Sequence, residues 1–396
     1  MLDSHDFQRV GARYFDSGTD PYPLFDALRA KAPVWLAPWG DVFVSSYDYV
    51  LQALANKTLR SPSPQLAFDQ WSQLPRSTVS DWMLYTDGDQ HNFLRQALVR
   101  PFSSTGMVAM QSVVERVVRE CLFEGTIDDV CEVVSQFTRA VPERVISDLL
   151  GFPREDIPRI RDWATTIRDL MDGTDKAAAR MLGAPDEMQI YFVEHLAQIL
   201  KTGAEFPPLL SGFKSIIDQL GIEVAGSNAA MLALAGHETT VHLLGNILFH
   251  LAREPDHWQR LRKDRTLVRN AVEETLRLES PVQKISRVST QPTAIGEDQI
   301  ADGSPIVLLI GAANRDPARF EAPHRFDLGR DGPPHLAFGR GAHACIGRPL
   351  AEMEASAVLN GLLARWSRFE MVDSGARWLD NSTFRGLEEL HLRFHA

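Results

Sequence analysis

Cysteine is scarce in this chain of 396 residues, which contains only Cys121, Cys131 and Cys345. An odd number of cysteines, without the Cys-x-x-Cys spacing of many metal sites, is typical of a protein of the reducing cytoplasm. We expect Cys121 and Cys131 to be inert residues of helices. Cys345 lies among glycines and needs a separate explanation.

Basic residues are also in deficit, with 41 Lys and Arg against 52 Asp and Glu and a formal net charge of −11. This balance argues against a nucleic-acid-binding protein, which normally carries a basic patch. A local basic face would still suit an acidic protein partner.

Long hydrophobic runs are absent. The lack of 18 consecutive apolar residues argues against a membrane span. The first residues have neither the basic start nor the apolar stretch of a signal peptide. We therefore expect a cytoplasmic protein that binds neither membrane nor nucleic acid.

Helical patterning dominates what is present, and no linker, repeat or low-complexity block divides the chain. We expect helices over about 90–120, 130–150 and 154–172, and another through residues 191–193. The longest helical pattern runs from about 219 to 251, which at 1.5 Å per residue spans roughly 50 Å. We therefore expect a single domain over residues 1–396, mainly α with a minor β-sheet.

Few segments have the pattern of strands. Residues 34–36 and 42–44 flank a Pro-Trp-Gly-Asp turn and predict a β-hairpin, which a helix over about 48–56 follows. Residues 306–310 are typical of a buried strand.

Residues from about 61 to 86 show no clean periodicity. They contain prolines, serines and the large aromatics Phe68, Trp71 and Trp82. This composition predicts a long irregular loop, and such loops in compact domains are often functional.

The most informative segment surrounds Cys345. It has the pattern Phe338-Gly339-x-Gly341-x-His343-x-Cys345-x-Gly347, and a helix-like run starts at Pro349. Glycines allow turn conformations and a close backbone approach to a flat cofactor. The amides and dipole of a helix start stabilise a sulfur anion. The pattern therefore predicts a thiolate presented to a metal, rather than a structural cysteine in a glycine-rich turn.

This pattern resembles the heme-ligand signature of the cytochrome P-450 family. The resemblance implies a single-domain P-450 fold with a long central helix over the distal heme face. It also implies heme b with the Cys345 thiolate as axial iron ligand, which favours O–O cleavage. Phe338 would pack beside the heme and the sulfur, His343 would reach a propionate, and Gly347 would keep the turn around the sulfur uncrowded.

The long predicted helix contains Ala235-Gly236-His237-Glu238-Thr239-Thr240, which in isolation is also typical of close helix packing. In the family, an acid–alcohol pair here opens a local groove over the heme. Gly236 would make room for dioxygen, Thr239 would hydrogen-bond the bound oxygen, and Glu238 would supply protons through water.

Glu274 and Arg277 lie three residues apart on one helix face, a spacing usual for exposed ion pairs. With Arg325 from the segment Pro323-His324-Arg325-Phe326-Asp327, they resemble the buried Glu-Arg-Arg triad of the family. The triad would lock the loop that precedes Cys345, as structural support rather than catalysis.

His91 and Arg95 lie four residues apart, after Asp87-Gly88, as in the DGxxHxxLR pattern of the family. The resemblance implies that they bind one heme propionate, with Arg287 and His343 as candidates for the other side. We interpret the remaining histidines, such as His237 and His242, as packing or surface residues.

Substrate-contacting positions follow from their place relative to these motifs, although Trp and Met are more often core residues. The candidates are Trp82, Asn228, Met231, Leu232, Ala235, Val282, Lys284, Ile285, Thr383 and Phe384. Lys284 is notable, because a cation in the pocket would favour a carboxylate or another polar acceptor. Alternatively, Lys284 points to solvent.

The resemblance implies a monomeric heme-thiolate monooxygenase that oxidises a medium-sized molecule of secondary metabolism. No flavin or iron–sulfur domain follows residues 385–387, so electrons would come from a separate ferredoxin or flavodoxin with its NAD(P)H reductase. One alternative keeps the fold but couples phenols or indoles, or uses peroxide. Another is a non-catalytic heme-thiolate sensor or carrier, which needs no acid–alcohol pair.

Overall fold

The structure is a computed structural model and describes residues 20–63, 78–124, 130–172 and 183–395. Phe68 and Trp71 of the expected irregular loop lie outside the described residues. The α-helices in these ranges are α1 (Tyr22–Lys31), α2 (Tyr47–Ala55), α3 (Gly88–Val99), α4 (Ser104–Arg119), α5 (Ala140–Leu150), α6 (Ile157–Asp172), α7 (Ala184–Thr202), α8 (Phe213–Leu220), α9 (Ile222–Arg253), α10 (Pro255–Lys263), α11 (Val268–Leu278), α12 (Ile310–Ala313) and α13 (Arg348–Arg365).

The strands are fewer and mostly short, which confirms a mainly α fold with minor β-sheet. They are β1 (Val34–Leu36), β2 (Val42–Val44), β3 (Leu59–Arg60), β4 (Val130–Glu132), β5 (Lys284–Ser289), β6 (Thr293–Ile295), β7 (Asp298–Ile300), β8 (Pro305–Leu309), β9 (Arg368–Trp378) and β10 (Leu387–His395).

Helix α9 forms the centre of the molecule. It has 32 residues and is therefore about 48 Å long. Gly221, with a φ of 92°, precedes it, and Pro255 follows its end. Apolar and small residues around its circumference are buried, as expected of a helix enclosed by its neighbours. It packs against α5, α7, α8, α11 and strands β9 and β10, so that side chains on α9 face several elements at once.

None of the helices in the described ranges is long and apolar enough to span a lipid bilayer.

Two of the sheets bring distant segments together. The larger has the strand order β1-β2-β8-β5-β3, in which only the β2–β8 pair is parallel. It contains the predicted hairpin, with Val34 opposite Val44, and the predicted buried strand as β8. The smaller sheet has the order β4-β10-β9 and brings the end of the chain against α9.

Two helix predictions are wrong in detail. The expected helix over 90–120 is divided into α3 and α4, because Pro101 lies in a 3₁₀ turn between them. The expected helix over 130–150 begins with β4 and a π-helical turn at Val134–Thr138, and α5 starts only at Ala140. Cys131 is therefore a strand residue, opposite Leu392 of β10, whereas Cys121 lies in a π-helical turn. Neither of these cysteines forms a disulfide bond.

Candidate functional site

A cavity of about 660 Å³ is lined by α9, by the loop before α13 and by β5. Cys345 lines it together with Gly236, Glu238 and Thr239, so residues far apart in sequence share one site. The other predicted site residues that line it are Trp82, Arg95, Met231, Leu232, Ala235, Val282, Lys284, Ile285, Arg287, Phe338, His343, Gly347, Thr383 and Phe384.

The loop before α13 fixes the position of Cys345. The Cys345 amide donates to the Phe338 carbonyl at 2.9 Å, which closes a turn around the glycines. Gly341 has a φ of 74°, and a Cβ there would lie 2.6 Å from the Leu54 carbonyl oxygen of α2. Glycine is therefore required both by the left-handed backbone and by the close approach to α2.

The surroundings of the Cys345 sulfur suit a metal-bound thiolate. Burial raises the pKa of the free thiol, whereas the backbone N–H groups of Gly347 and Arg348 and the charges of Arg95 and Arg348 act to lower it. Two amides and two guanidinium groups thus favour a negative sulfur. A bound cation would complete its deprotonation.

Two arginines that line the cavity form no ion pair with a carboxylate in the described ranges, although the charge of Asp87 acts on Arg287. Arg287 is buried and donates only to the Ser286 carbonyl, at 2.8 Å, and Arg95 donates to the Ala344 carbonyl at 2.8 Å. Burial lowers the pKa of both guanidinium groups. Because a buried charge is costly without a counter-charge, this pair fits a dianionic cofactor such as heme.

His343 lines the same cavity but also binds a carboxylate of the protein. Its Nε2 lies 3.1 Å from Asp87 Oδ1, and the Ser61 amide donates to Asp87 Oδ2 at 3.0 Å. Burial raises the pKa of Asp87, but the hydrogen bond and charge of His343 outweigh it and lower the pKa. Burial lowers the pKa of His343. The ring of His343 is therefore held in place at the edge of the cavity by its contact with the Asp87 carboxylate.

His91 lies behind His343 and is not among the described residues that line the cavity. Its ring nitrogens lie 3.1 Å from the Met83 carbonyl oxygen and 3.0 Å from that of Ala342. The expectation that His91 and Arg95 bind a propionate together therefore stays a prediction. Only Arg95 reaches the cavity, because the loop at Ala342 covers His91.

Glu238 of α9 is buried in a cluster of charged and polar side chains. Arg168 Nη1 lies 3.1 Å from its Oε2, and the Nε2 atoms of His237 and His242 lie 3.4 Å and 3.6 Å from its carboxylate. Burial would raise the pKa of Glu238, but His237 and Arg168 hold it well below its ordinary value. Both histidines are buried as expected of packing residues, but the prediction missed their contact with Glu238. The spacing of His242, four residues after Glu238 on the same helix, and the adjacency of His237 could have revealed these contacts from the sequence.

Thr239 and Gly236 differ in what surrounds them. The Thr239 hydroxyl donates to the Ala235 carbonyl at 3.0 Å and faces the cavity. A Cβ at Gly236 would lie 2.5 Å from Ile146 Cδ1 of α5, so this glycine also permits the contact between two helices. Helix α9 continues through Glu238 and Thr239, and the expected local groove stays a prediction.

The Glu-Arg-Arg triad exists, but its third member is Arg330 and not Arg325. Arg277 Nη2 lies 2.8 Å and Arg330 Nε 2.9 Å from Glu274 Oε1. Arg325 is exposed, and only its backbone carbonyl takes part, by accepting from Arg277 and Arg330. Arg277 also donates to the Asn314 and Pro323 carbonyls, which ties the loop before Cys345 to α11.

Asn228 is a structural residue and not a lining residue of the cavity in the described part of the chain. Its Oδ1 accepts from the Met83 amide at 2.9 Å, and its Nδ2 donates to the Asp81 carbonyl at 2.8 Å. It therefore ties the segment beside Trp82 to α9, and the prediction that it contacts substrate is wrong for this structure.

Lys284 points into the cavity, so the alternative that it faces solvent is wrong. Its Nζ donates to Ser382 Oγ at 2.7 Å, and Ser382 donates to Asp172 Oδ1 at 2.7 Å. Ser382 and Asp172 could not be predicted as site residues, because neither belongs to a motif.

Comparisons with known proteins agree with this site. The family model "Cytochrome P450" matches residues 217–383. The chain is 31% identical over 386 residues to the biotin biosynthesis cytochrome P450 of Bacillus subtilis (strain 168), across 95% of this chain and 96% of that protein. It is 31% identical over 411 residues to cytochrome P450 monooxygenase PikC of Streptomyces venezuelae, across 97% and 94%.

Among solved structures, P450BioI in complex with an acyl carrier protein ligated to hexadec-9Z-enoic acid is similar, with a TM-score of 0.87 and 30% identity. The match covers 95% of this chain and 99% of that one. In this family, a cysteine thiolate holds a heme iron. The chain therefore belongs to the cytochrome P450 family and is a heme-thiolate monooxygenase that oxidises small organic molecules.

Proposed function

We propose that Cys345 is the axial ligand of heme b, and that Arg95 and Arg287 balance the charge of its propionates. The observation that carries this proposal is the joint placement in one cavity of a sulfur that receives two backbone N–H groups and of two arginines that form no ion pair with a carboxylate of the described residues. His343 lies at the same edge and contributes a ring held by Asp87. Phe338 packs near the helix start, with Arg348 5.3 Å from its ring centroid.

When bound, the heme iron supplies the activation of dioxygen and its transfer to carbon. Glu238 and Thr239 supply protons to the distal side. Glu238 is held ionised by Arg168 and His237, so its carboxylate can accept hydrogen bonds from groups that carry protons through the cavity that it lines. Thr239 presents its hydroxyl in the same cavity and orients a proton at its Oγ1. The intact pair favours monooxygenation over peroxide-driven oxidation and over a non-catalytic role.

The substrate that fits this cavity is a medium-sized organic molecule of secondary metabolism. Much of the lining is apolar, including Trp82, Met231, Leu232, Val282 and Phe384, which favours an apolar body. The relative from Bacillus subtilis is named for biotin biosynthesis, and the structural neighbour binds a fatty acid ligated to a carrier protein. Both support a biosynthetic role.

We also propose that residues 1–396 form one domain that acts as a monomer in the cytoplasm. Cys121 and Cys131 form no disulfide bond, which supports a reducing compartment. Electrons would come from a separate ferredoxin or flavodoxin and its NAD(P)H reductase, in keeping with the family.

The proposed function is tested by assaying the purified holoprotein with NAD(P)H, a surrogate ferredoxin and its reductase under ¹⁸O₂. Medium-chain fatty acids, phenols and indoles serve as probes. We expect one ¹⁸O atom in the product, together with the red-shifted Soret band of the ferrous–CO complex that thiolate ligation gives. A dimeric product without ¹⁸O would instead indicate oxidative coupling. Binding without any oxidation would support a carrier or sensor.

A further inference from the structure

The segments that flank the cavity near Lys284 form a short antiparallel pair. Val282 and Phe384 form a β-bridge, the Gln283 amide donates to the Thr383 carbonyl at 2.8 Å, and the Arg385 amide donates to the Pro281 carbonyl at 2.9 Å. In this register Lys284 lies opposite Ser382. Because alternate side chains of a strand share a face, Val282 and Lys284 present one apolar and one charged side chain to the same side.

Lys284 is a desolvated cation with unused donors. Burial lowers the pKa of its amine, and the charge of Asp172 acts in the opposite direction. Its one hydrogen bond goes to Ser382, and it forms no ion pair within the described ranges. An ammonium group has three N–H donors, so two remain for a ligand in the cavity.

Asp172 does not neutralise Lys284 by direct contact. Its Oδ1 accepts from the amides and the hydroxyls of Ser382 and Thr383, at 2.7–3.0 Å. These four donors satisfy the carboxylate oxygen, and Ser382 stands between it and Lys284. The network fixes the loop and the lysine, and it leaves the positive charge facing the cavity.

We propose that Lys284 is the anion-binding subsite of the substrate cavity, and that the substrate is an amphipathic organic acid whose carboxylate binds its Nζ. The apolar body of the acid would then lie along Val282 and Phe384, which line the same cavity as Cys345. This inference rests on the proposed function and adds a substrate class to it. The Lys284 amine contributes binding and orientation, whereas the chemistry depends on Cys345, Glu238 and Thr239.

The test measures binding to the holoprotein by calorimetry, for pairs of ligands that differ only in charge. The pairs are dodecanoic acid with dodecanol, naphthaleneacetic acid with its methyl ester, and indoleacetic acid with its amide. In the wild-type protein, we expect the acid to bind roughly tenfold more tightly than its neutral partner in at least one pair, the size expected for a charged hydrogen bond. Lys284→Met should reduce this ratio to within about twofold, with the affinity for the neutral partner nearly unchanged.

Two further variants separate the local charge from other effects. Lys284→Arg retains the cation and should keep the preference for the acid. Lys214→Met removes an exposed lysine of α8 and should also leave the preference unchanged. The inference is overturned if no acid is preferred by the wild-type protein, if the preference survives Lys284→Met, or if acid and neutral ligand weaken equally. A ferrous–CO spectrum of each sample reports on the Cys345 ligand separately, so a failure of the proposed function is distinguishable.

Discussion

Arg168 and Glu238 form a buried ion pair between two helices, with Arg168 Nη1 3.1 Å from Glu238 Oε2. Arg168 lies on α6 and Glu238 on α9, and both side chains are almost inaccessible to solvent. The ionised state of Glu238, on which we propose that proton supply depends, is therefore maintained by Arg168 of another helix together with His237 of α9.

Arg168→Met should leave the Glu238 carboxylate without its guanidinium partner. Stranding a buried charge costs about 3–5 kcal/mol, so we expect a loss of unfolding free energy of this order and slower product formation. Denaturant unfolding and turnover would measure both. Arg159→Met is the control, because Arg159 is exposed on the same helix and packs over Trp163. Equal stability and turnover of the two variants would contradict the role of the pair.

Thr239→Ala should leave ligand affinity and the heme spectrum nearly intact but uncouple the enzyme. The hydroxyl faces the cavity and, within the described part of the chain, donates only to the Ala235 carbonyl, so its loss removes a proton relay without disturbing the helix. NAD(P)H consumption should continue while product per NAD(P)H falls and hydrogen peroxide rises. If coupling is unchanged in Thr239→Ala but lost in Thr240→Ala, the relay runs through Thr240.

The triad offers a matched comparison between two arginines. Arg330→Ala removes a side chain that contacts the buried Glu274 carboxylate, and we expect it to lower the unfolding free energy by about 3 kcal/mol and to reduce heme content. Arg325→Ala should cost less than about 1 kcal/mol, because its side chain is exposed and its backbone carbonyl is retained. Chemical denaturation and the heme-to-protein ratio would decide. The reverse order would restore Arg325 as the third member of the triad.

The difference between these two arginines shows what sequence alone can and cannot predict. The turn around Cys345 could be predicted because its glycines, its cysteine and its helix start lie within a few residues, and local sterics determine their arrangement. The role of Arg330 could not be predicted, because Arg325 and Arg330 belong to the same loop and only the path of that loop decides which side chain turns inward.

The same limit applies to the charged partners of the site. Arg168, Asp172 and Ser382 belong to no motif, and their contacts with Glu238 and Lys284 arise from the packing of separate elements. The strand at Cys131 was missed for a similar reason, since its partner β10 is distant in sequence. The long helix α9 and the hairpin of β1 and β2 were predicted correctly, because local periodicity and turn residues are sufficient to specify them.

Cys345→Ser should abolish the red-shifted Soret band of the ferrous–CO complex, because this band requires a thiolate ligand. Among the three cysteines, only Cys345 lines the cavity within the described part of the chain. Cys131→Ala and Cys121→Ser should keep the band, although Cys131→Ala alters the buried face of β4. Absorption spectra of the reduced, CO-treated proteins test this assignment, and a surviving band in Cys345→Ser would refute it.

His242 should make the stability of the protein fall in mild acid. Burial lowers its pKa to about 4, and of its charged neighbours Glu238 acts to raise it while Arg168, Arg139 and His237 act to lower it further. In the unfolded chain a histidine titrates near about 6.5, so between about pH 6.5 and pH 4 the unfolded state binds a proton that the folded state does not. The unfolding free energy should therefore decline as pH falls through this window, by about 1.4 kcal/mol per pH unit at most. His237 has a raised pKa, so its contribution to the pH dependence of the unfolding free energy has the opposite sign and partly cancels that of His242.

Comparing wild type with His242→Phe by denaturant unfolding from pH 7 to pH 4.5 isolates the effect of His242. Parallel curves of unfolding free energy against pH for the two proteins would show that His242 does not remain neutral in the folded state.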